Sequence, residues 1–165
     1  MKTLLIIRHA KTEQKNYDQD FERELTERGE KDCKLMSDRL KSQNVTPDLV
    51  KISPSKRTVQ TAAHFEKHLK WKSESIEFVP ELYNASHHVL FKAITGTDNA
   101  IDIIAIVAHN PGITDLFNYV GTSVIDNLPT TGIGLFTFET DDWNKLEPHQ
   151  GKLLWYSAPK SNLEI

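Results

Sequence analysis

Short apolar runs, each closed abruptly by polar residues, recur along this chain. Residues 4–7 (Leu-Leu-Ile-Ile) show no alternation, which predicts a strand buried on both faces. Residues 49–52 and 76–79 predict two more strands. Residues 101–108 form the longest run, apolar almost throughout, and predict a central strand. Between the runs the period changes to that of a helix. Thr26 is a cap for a helix over 27–42, with Gly29, Cys33, Met36 and Leu40 on one stripe. Ser55 is the expected cap of a helix reaching Lys70, with Val59, Ala62, Ala63 and Leu69 inward. Ser86 caps 87–95, which Gly96 ends, and Pro111 suits the first turn of a helix reaching Val120. Residues 132–138 and 152–156 read as late strands. This alternation predicts an α/β fold, a three-layer sandwich whose mainly parallel central sheet is flanked by helices, in one domain over residues 1–165.

The polar residues that close the runs change the picture. The first strand ends in Arg8 and His9, the second in Ser53 with Arg57 early in the next helix, and the fourth in His109. Parallel strands place these ends on one sheet edge, where ligands of open α/β folds sit. In a continuing strand Arg8 and His9 would face opposite ways, so for both to serve one site the backbone must leave the strand near Ile7 or Arg8. Two guanidinium groups and two imidazoles beside helix N-termini call for an anion, and arginine forks match phosphate oxygens. The net charge of −3 predicts no general attraction to nucleic acid or anionic membrane, so an anion site has to be local. No run is long enough for a membrane span, nothing resembles a signal peptide, and a single cysteine excludes an internal disulfide; these features predict a cytoplasmic protein. Residues 10–24 make a polar loop too long to be a mere connector.

Four segments, in order, resemble the histidine phosphatase (phosphoglycerate mutase-like) superfamily. Arg8-His9-Ala10 is similar to its Arg-His-Gly signature, with alanine in place of the usual glycine. The segment from Ser53 through Arg57 to Thr61 resembles its second arginine motif, and Val107-Ala-His109-Asn-Pro-Gly112 its second histidine motif. The segment from Asp20 through Arg23 and Leu25 to Gly29 resembles one found in short SixA-type phosphohistidine phosphatases. The resemblance implies a metal-independent hydrolase in which His9 is the nucleophile. Arg8, Arg57 and His109 would hold the transferred phosphoryl group, with Asn110 either touching it or only shaping the turn. It leaves the proton donor open between Glu81 and Asp20, or with no strong acid at all, because a phosphohistidine's imidazole can leave carrying its own proton. It implies no cofactor. The expected substrate is a phosphorylated protein, such as a histidine phosphotransfer domain; the alternatives are small phosphomonoesters, or a non-catalytic module that only binds phosphoprotein.

Other residues carry plainer readings. Arg23 is expected to anchor the first loop through an ion pair. Cys33 through Arg39 satisfies Cys-x5-Arg, yet it falls mid-helix without glycine, so Cys33 is expected in the core rather than as a nucleophile. His64 and His68 lack the glutamate placement of a zinc motif and read as exposed. His87 and His88 open a helix near the predicted site edge. Trp71, Trp143 and Trp155 are expected to pack. No phosphate-binding glycine loop of a nucleotide site is present.

Overall fold

The computed structural model describes residues 1–14 and 19–163, with side chains to residue 160. Its strands are β1 (Lys2–Arg8), β2 (Leu49–Ile52), β3 (Ile76–Phe78), β4 (Ile103–Ala108), β5 (Ile133–Phe138), β6 (Lys152–Ala158) and β7 (Ser161–Leu163). They form one sheet in the order β3-β2-β4-β1-β5-β6-β7. The pairings from β3 through β2 and β4 to β1 are parallel, as the sequence predicts. From β1 outward through β5 and β6 to β7 they are antiparallel, and β7 has no counterpart in the sequence reading.

Alternation along β1 sorts its side chains between two cores. Leu4 and Ile6 join Ile104, Ile106 and the apolar faces of α3 (His87–Thr95) and α4 (Gly112–Val120). Leu5 and Ile7 join Ala105, Val107 and the faces of α1 (Glu27–Lys41) and α2 (Lys56–Leu69). That is the expected sandwich. In α1 the predicted stripe is buried and the Thr26 hydroxyl accepts from the Gly29 N–H at 3.0 Å. In α2, Ala62 is buried as predicted, while Ala63 is exposed and Phe65, two residues on, faces inward in its place. Ser55 occupies the cap position, but its hydroxyl meets the Thr58 hydroxyl at 2.7 Å rather than a backbone N–H. All three tryptophans are buried. Among the described residues no helix is long and apolar enough to cross a membrane.

Register sets up the site. Arg8 lies opposite Ala108 and Ile52 opposite Val107, so three parallel strands end level. The residues that follow, His9, Ser53 and His109, emerge side by side.

Candidate active site

β1 stops at Arg8, where the sequence requires the backbone to turn. The His9 N–H still reaches the Ala108 carbonyl at 3.2 Å, while the Thr131 N–H lies 3.1 and 3.0 Å from the Arg8 and His9 carbonyls. Thr131 has φ of 63°, left-handed backbone that costs a β-branched residue about 1–3 kcal/mol. A buried turn thus holds the strand exit in place, and nothing in the sequence pattern marks it. Ala10 is fully buried beside Leu25 and Cys33 and is not at positive φ, so glycine is not required there. Its N–H donates to the Thr61 hydroxyl at 2.9 Å, tying the strand exit to α2.

The His9 and His109 rings lie 5.6 Å apart, centroid to centroid. His9 Nδ1 is 2.8 Å from the Ala10 carbonyl. A carbonyl only accepts, so the proton sits on Nδ1 and Nε2 keeps its lone pair. Arg8 Nη1 donates to the Leu128 carbonyl at 2.9 Å. Arg57 donates through Nη1 to the Asp20 carbonyl at 2.9 Å and through Nη2 to its Oδ2 at 3.0 Å. The Tyr83 hydroxyl donates to that same carboxylate oxygen at 2.8 Å. Arg23 approaches the other at 3.6 Å and donates to the Thr12 hydroxyl. A cavity of about 800 Å³ is lined by Arg8, His9, Asp20, Arg23, Arg57, His109 and Asn110, with Lys11, Arg28 and Lys160 at its basic border.

Inside this shell several buried groups have no partner among the described residues: Nε of Arg8, Arg23 and Arg57, and Nδ1 of His109. Each orphaned buried group costs about 1–3 kcal/mol. Four on the walls of one cavity are the complement of a tetrahedral oxyanion. The charges agree. Burial, aided by Arg57, His109 and Arg8 and opposed by the Ala10 hydrogen bond, pushes His9 down to about 3. Burial and Arg57 push His109 down to about 4. Both imidazoles are therefore neutral near pH 7. Burial pushes Asp20 up, but hydrogen bonds from Tyr83 and Arg57 and the charge of Arg57 outweigh it and hold the carboxyl ionised. A neutral imidazole with a free lone pair, facing guanidinium N–H groups, can attack phosphorus.

A model of the histidine phosphatase superfamily (branch 1) matches residues 4–90, just over half of the chain. The chain belongs to that superfamily. A search of curated proteins returns no match. Among solved structures, one assigned as the phosphohistidine phosphatase SixA from Agrobacterium tumefaciens superposes with a TM-score of 0.81 at 22% identity, covering 96% of this chain and 98% of that one. A protein histidine phosphatase SixA complexed with tungstate gives 0.81 at 23%, covering 96% and 97%. A phosphoserine phosphatase from Entamoeba histolytica, in complex with 3-phosphoglyceric acid, gives 0.61 at 16%, covering 96% and 98%. At these identities the likeness establishes the phosphoglycerate mutase-like fold.

Within this histidine phosphatase the structure brings Arg8, His9, Arg57, His109, Asn110 and Asp20 to one cavity. Glu81 is exposed in a short 3-10 turn (Pro80–Leu82) and does not line it; from the same loop Asn84 lines the cavity, and the Tyr83 ring meets His109 edge-on at 5.6 Å. Asn110 donates to Asn127 and accepts from Thr114, each at 2.6 Å, which anchors its side chain to the turn and leaves one Nδ2 hydrogen outside these two bonds. Arg23 makes the expected loop ion pair and also faces the cavity. Part of that loop, residues 15–18, lies outside the described residues. Cys33 is in the core, its thiol pushed up to about 12, first by burial and then by Asp32 and Glu30. His64 and His68 stack on each other, half-buried rather than exposed. His87 and His88 pack on Tyr119 and do not line the cavity. Tyr83 and Thr131 are the site-shaping residues that the sequence reading missed. A lone aromatic in a turn and a threonine before glycine carry no specific signal.

Proposed function

We propose that the protein is a phosphohistidine phosphatase that removes phosphate from a phosphoprotein through a covalent phosphohistidine on His9. In the first step the His9 Nε2 lone pair attacks phosphorus in line. A bond forms from Nε2 to phosphorus, and the bond from phosphorus to the leaving nitrogen breaks with its electron pair staying on that nitrogen. Arg8, Arg57 and His109 donate to the equatorial oxygens and balance the charge that develops there. In the second step water attacks the phosphoenzyme, returning the lone pair to His9 and releasing inorganic phosphate. These cationic and N–H donors supply the charge neutralisation that the two steps need.

The observation that carries the phosphatase reading is the set of unpartnered buried nitrogens around the neutral His9. The SixA structure holding tungstate, a tetrahedral oxyanion, supports it by analogy. The choice of phosphohistidine over an ester rests on Asp20. Its carboxyl is clamped in the ionised form, and Glu81 lies outside the cavity. Neither is poised to protonate an alkoxide. An imidazole leaving group can depart with its own proton and makes no such demand. Lys11 and Lys160, exposed at the border of a wide cavity, suit a phosphate displayed on a protein surface such as a histidine phosphotransfer domain. The non-catalytic module is disfavoured because a candidate for each role in the two steps lines the same cavity.

A rapid quench with a radiolabelled phosphohistidyl protein tests the reading. The expected result is an acid-labile, base-stable phosphoenzyme that vanishes in His9→Ala. Stoichiometric binding without phosphate release would establish the binding module instead. Faster turnover of sugar phosphates than of phosphohistidyl protein would establish the general phosphomonoesterase.

A further inference from the structure

His109 Nε2 lies 2.6 Å from the Ser53 hydroxyl. Ser53 is fully buried and does not line the cavity, so it cannot itself meet substrate. The opposite ring nitrogen, Nδ1, is buried and has no partner among the described residues, on a ring that does line the cavity. A neutral imidazole carries one proton, and where it sits decides whether Nδ1 donates to a phosphate oxygen or repels it with a lone pair. We propose that Ser53 is the positioning residue that fixes the His109 tautomer: its hydroxyl donates to Nε2 and thereby keeps the proton on Nδ1, facing the oxyanion.

The surroundings of Ser53 fit this role. Its N–H donates to the Val107 carbonyl at 3.2 Å, which locks β2 against β4 at the site edge. Its carbonyl accepts from the Thr58 hydroxyl at 2.6 Å, which ties the turn to the first turn of α2. Both contacts leave the Ser53 hydroxyl with His109 alone among the described residues. A hydroxyl is also the right group chemically. It donates to a neutral ring, and it can turn to accept from Nε2–H if His109 takes up a proton while an anion is bound. Alanine can do neither, and a carboxylate would hold the ring permanently charged. Because His109 is pushed down to about 4, the neutral ring is the form that needs this control.

The inference rests on the phosphatase reading only for its use in turnover; the tautomer itself can be measured on the free protein. Nitrogen-15 spectra of the histidine side chains should show His109 protonated at Nδ1 and bare at Nε2. In Ser53→Ala the proton should shift toward Nε2, and tungstate should bind about 10-fold more weakly, the worth of one hydrogen bond to a charged group. Ser53→Thr, which keeps the hydroxyl, should restore both. A wild-type His109 protonated at Nε2, or Ser53→Ala with unchanged spectrum and unchanged tungstate affinity, would overturn the proposal. A correct tautomer in a protein that never turns over phosphohistidine would sink the phosphatase reading and leave this inference standing.

Discussion

Each end of β1 carries a cation, fully buried at Lys2 and half-buried at Arg8, and the fold treats the two oppositely. At the start of the strand Lys2 is 1% exposed. All three of its ammonium donors are used, on the Asn99 and Ile101 carbonyls at 2.7 and 2.9 Å and on Asp102 at 3.0 Å. Its ammonium also sits 5.6 Å from the Trp143 ring centroid. At the end of the strand Arg8 has one donor satisfied by Leu128 and its Nε without a partner among the described residues, beside Arg57 and Arg23 with the same deficit. Burial and the Arg57 charge pull the Arg8 pKa down. The same strand thus carries a finished contact at one end and an unfinished one at the other. The lesson is that buried charge alone does not mark a site. What marks it is buried hydrogen-bonding capacity that the fold leaves unspent.

The largest test of this contrast is His9→Ala. Removing the nucleophile from the unfinished end should lower turnover by about 10⁴-fold or more, with the denaturant midpoint held near the parent. A variant that retained full turnover would show that the open end is not where the chemistry happens.

Next comes pH. His9 and His109 sit at about 3 and about 4 in the folded chain, below the unfolded value of about 6.5. As pH falls below 6.5 the unfolded chain binds protons that the folded chain refuses, so stability falls through that window. At pH 5 each histidine should cost about 2 kcal/mol relative to pH 8. Denaturation curves of the parent and of His9→Asn compared at pH 8 and 5 check this; equal pH losses in the two would contradict it.

Lys2→Met tests the finished end. It strands two carbonyls whose partner was buried, a loss of about 2–3 kcal/mol by denaturant melt, while activity per folded molecule and tungstate affinity stay at parental values. Arg8→Met gives the smallest change in stability and the mirror image in function. One hydrogen bond is lost but repulsion from Arg57 is relieved, so stability should move by no more than about 1 kcal/mol. Phosphate-analogue affinity, read by calorimetry, should fall about 100-fold. If Arg8→Met unfolded the protein as Lys2→Met is expected to, the distinction between the two ends would be lost.

Gly29 shows how the open end is built from afar. A Cβ there would strike the Lys11 carbonyl, which also accepts from the Thr26 N–H at 2.9 Å. The start of α1 is therefore pressed against the loop that presents Thr12, Asp20 and Arg23.

Much of this was set by the chain's own pattern. Buried parallel strands announce themselves as unbroken apolar runs, and chemistry placed just past each run can be read off before any coordinates, as with Arg8, His9, Arg57 and His109. The caps Thr26 and Ser86 and the core Cys33 follow from local rules in the same way. What the pattern could not decide is whatever depends on residues far apart meeting. A strand such as β5 looks the same in either direction. Whether Phe65 or Ala63 turns inward depends on how α2 rolls against the sheet and α1. That Asp20 would be clamped by Arg57 and Tyr83 while Glu81 faces solvent, or that Ser53 would meet the far nitrogen of His109, depends on register and loop packing. Local sequence fixes which groups are available; only tertiary contact fixes which of them find partners and which are left for a ligand.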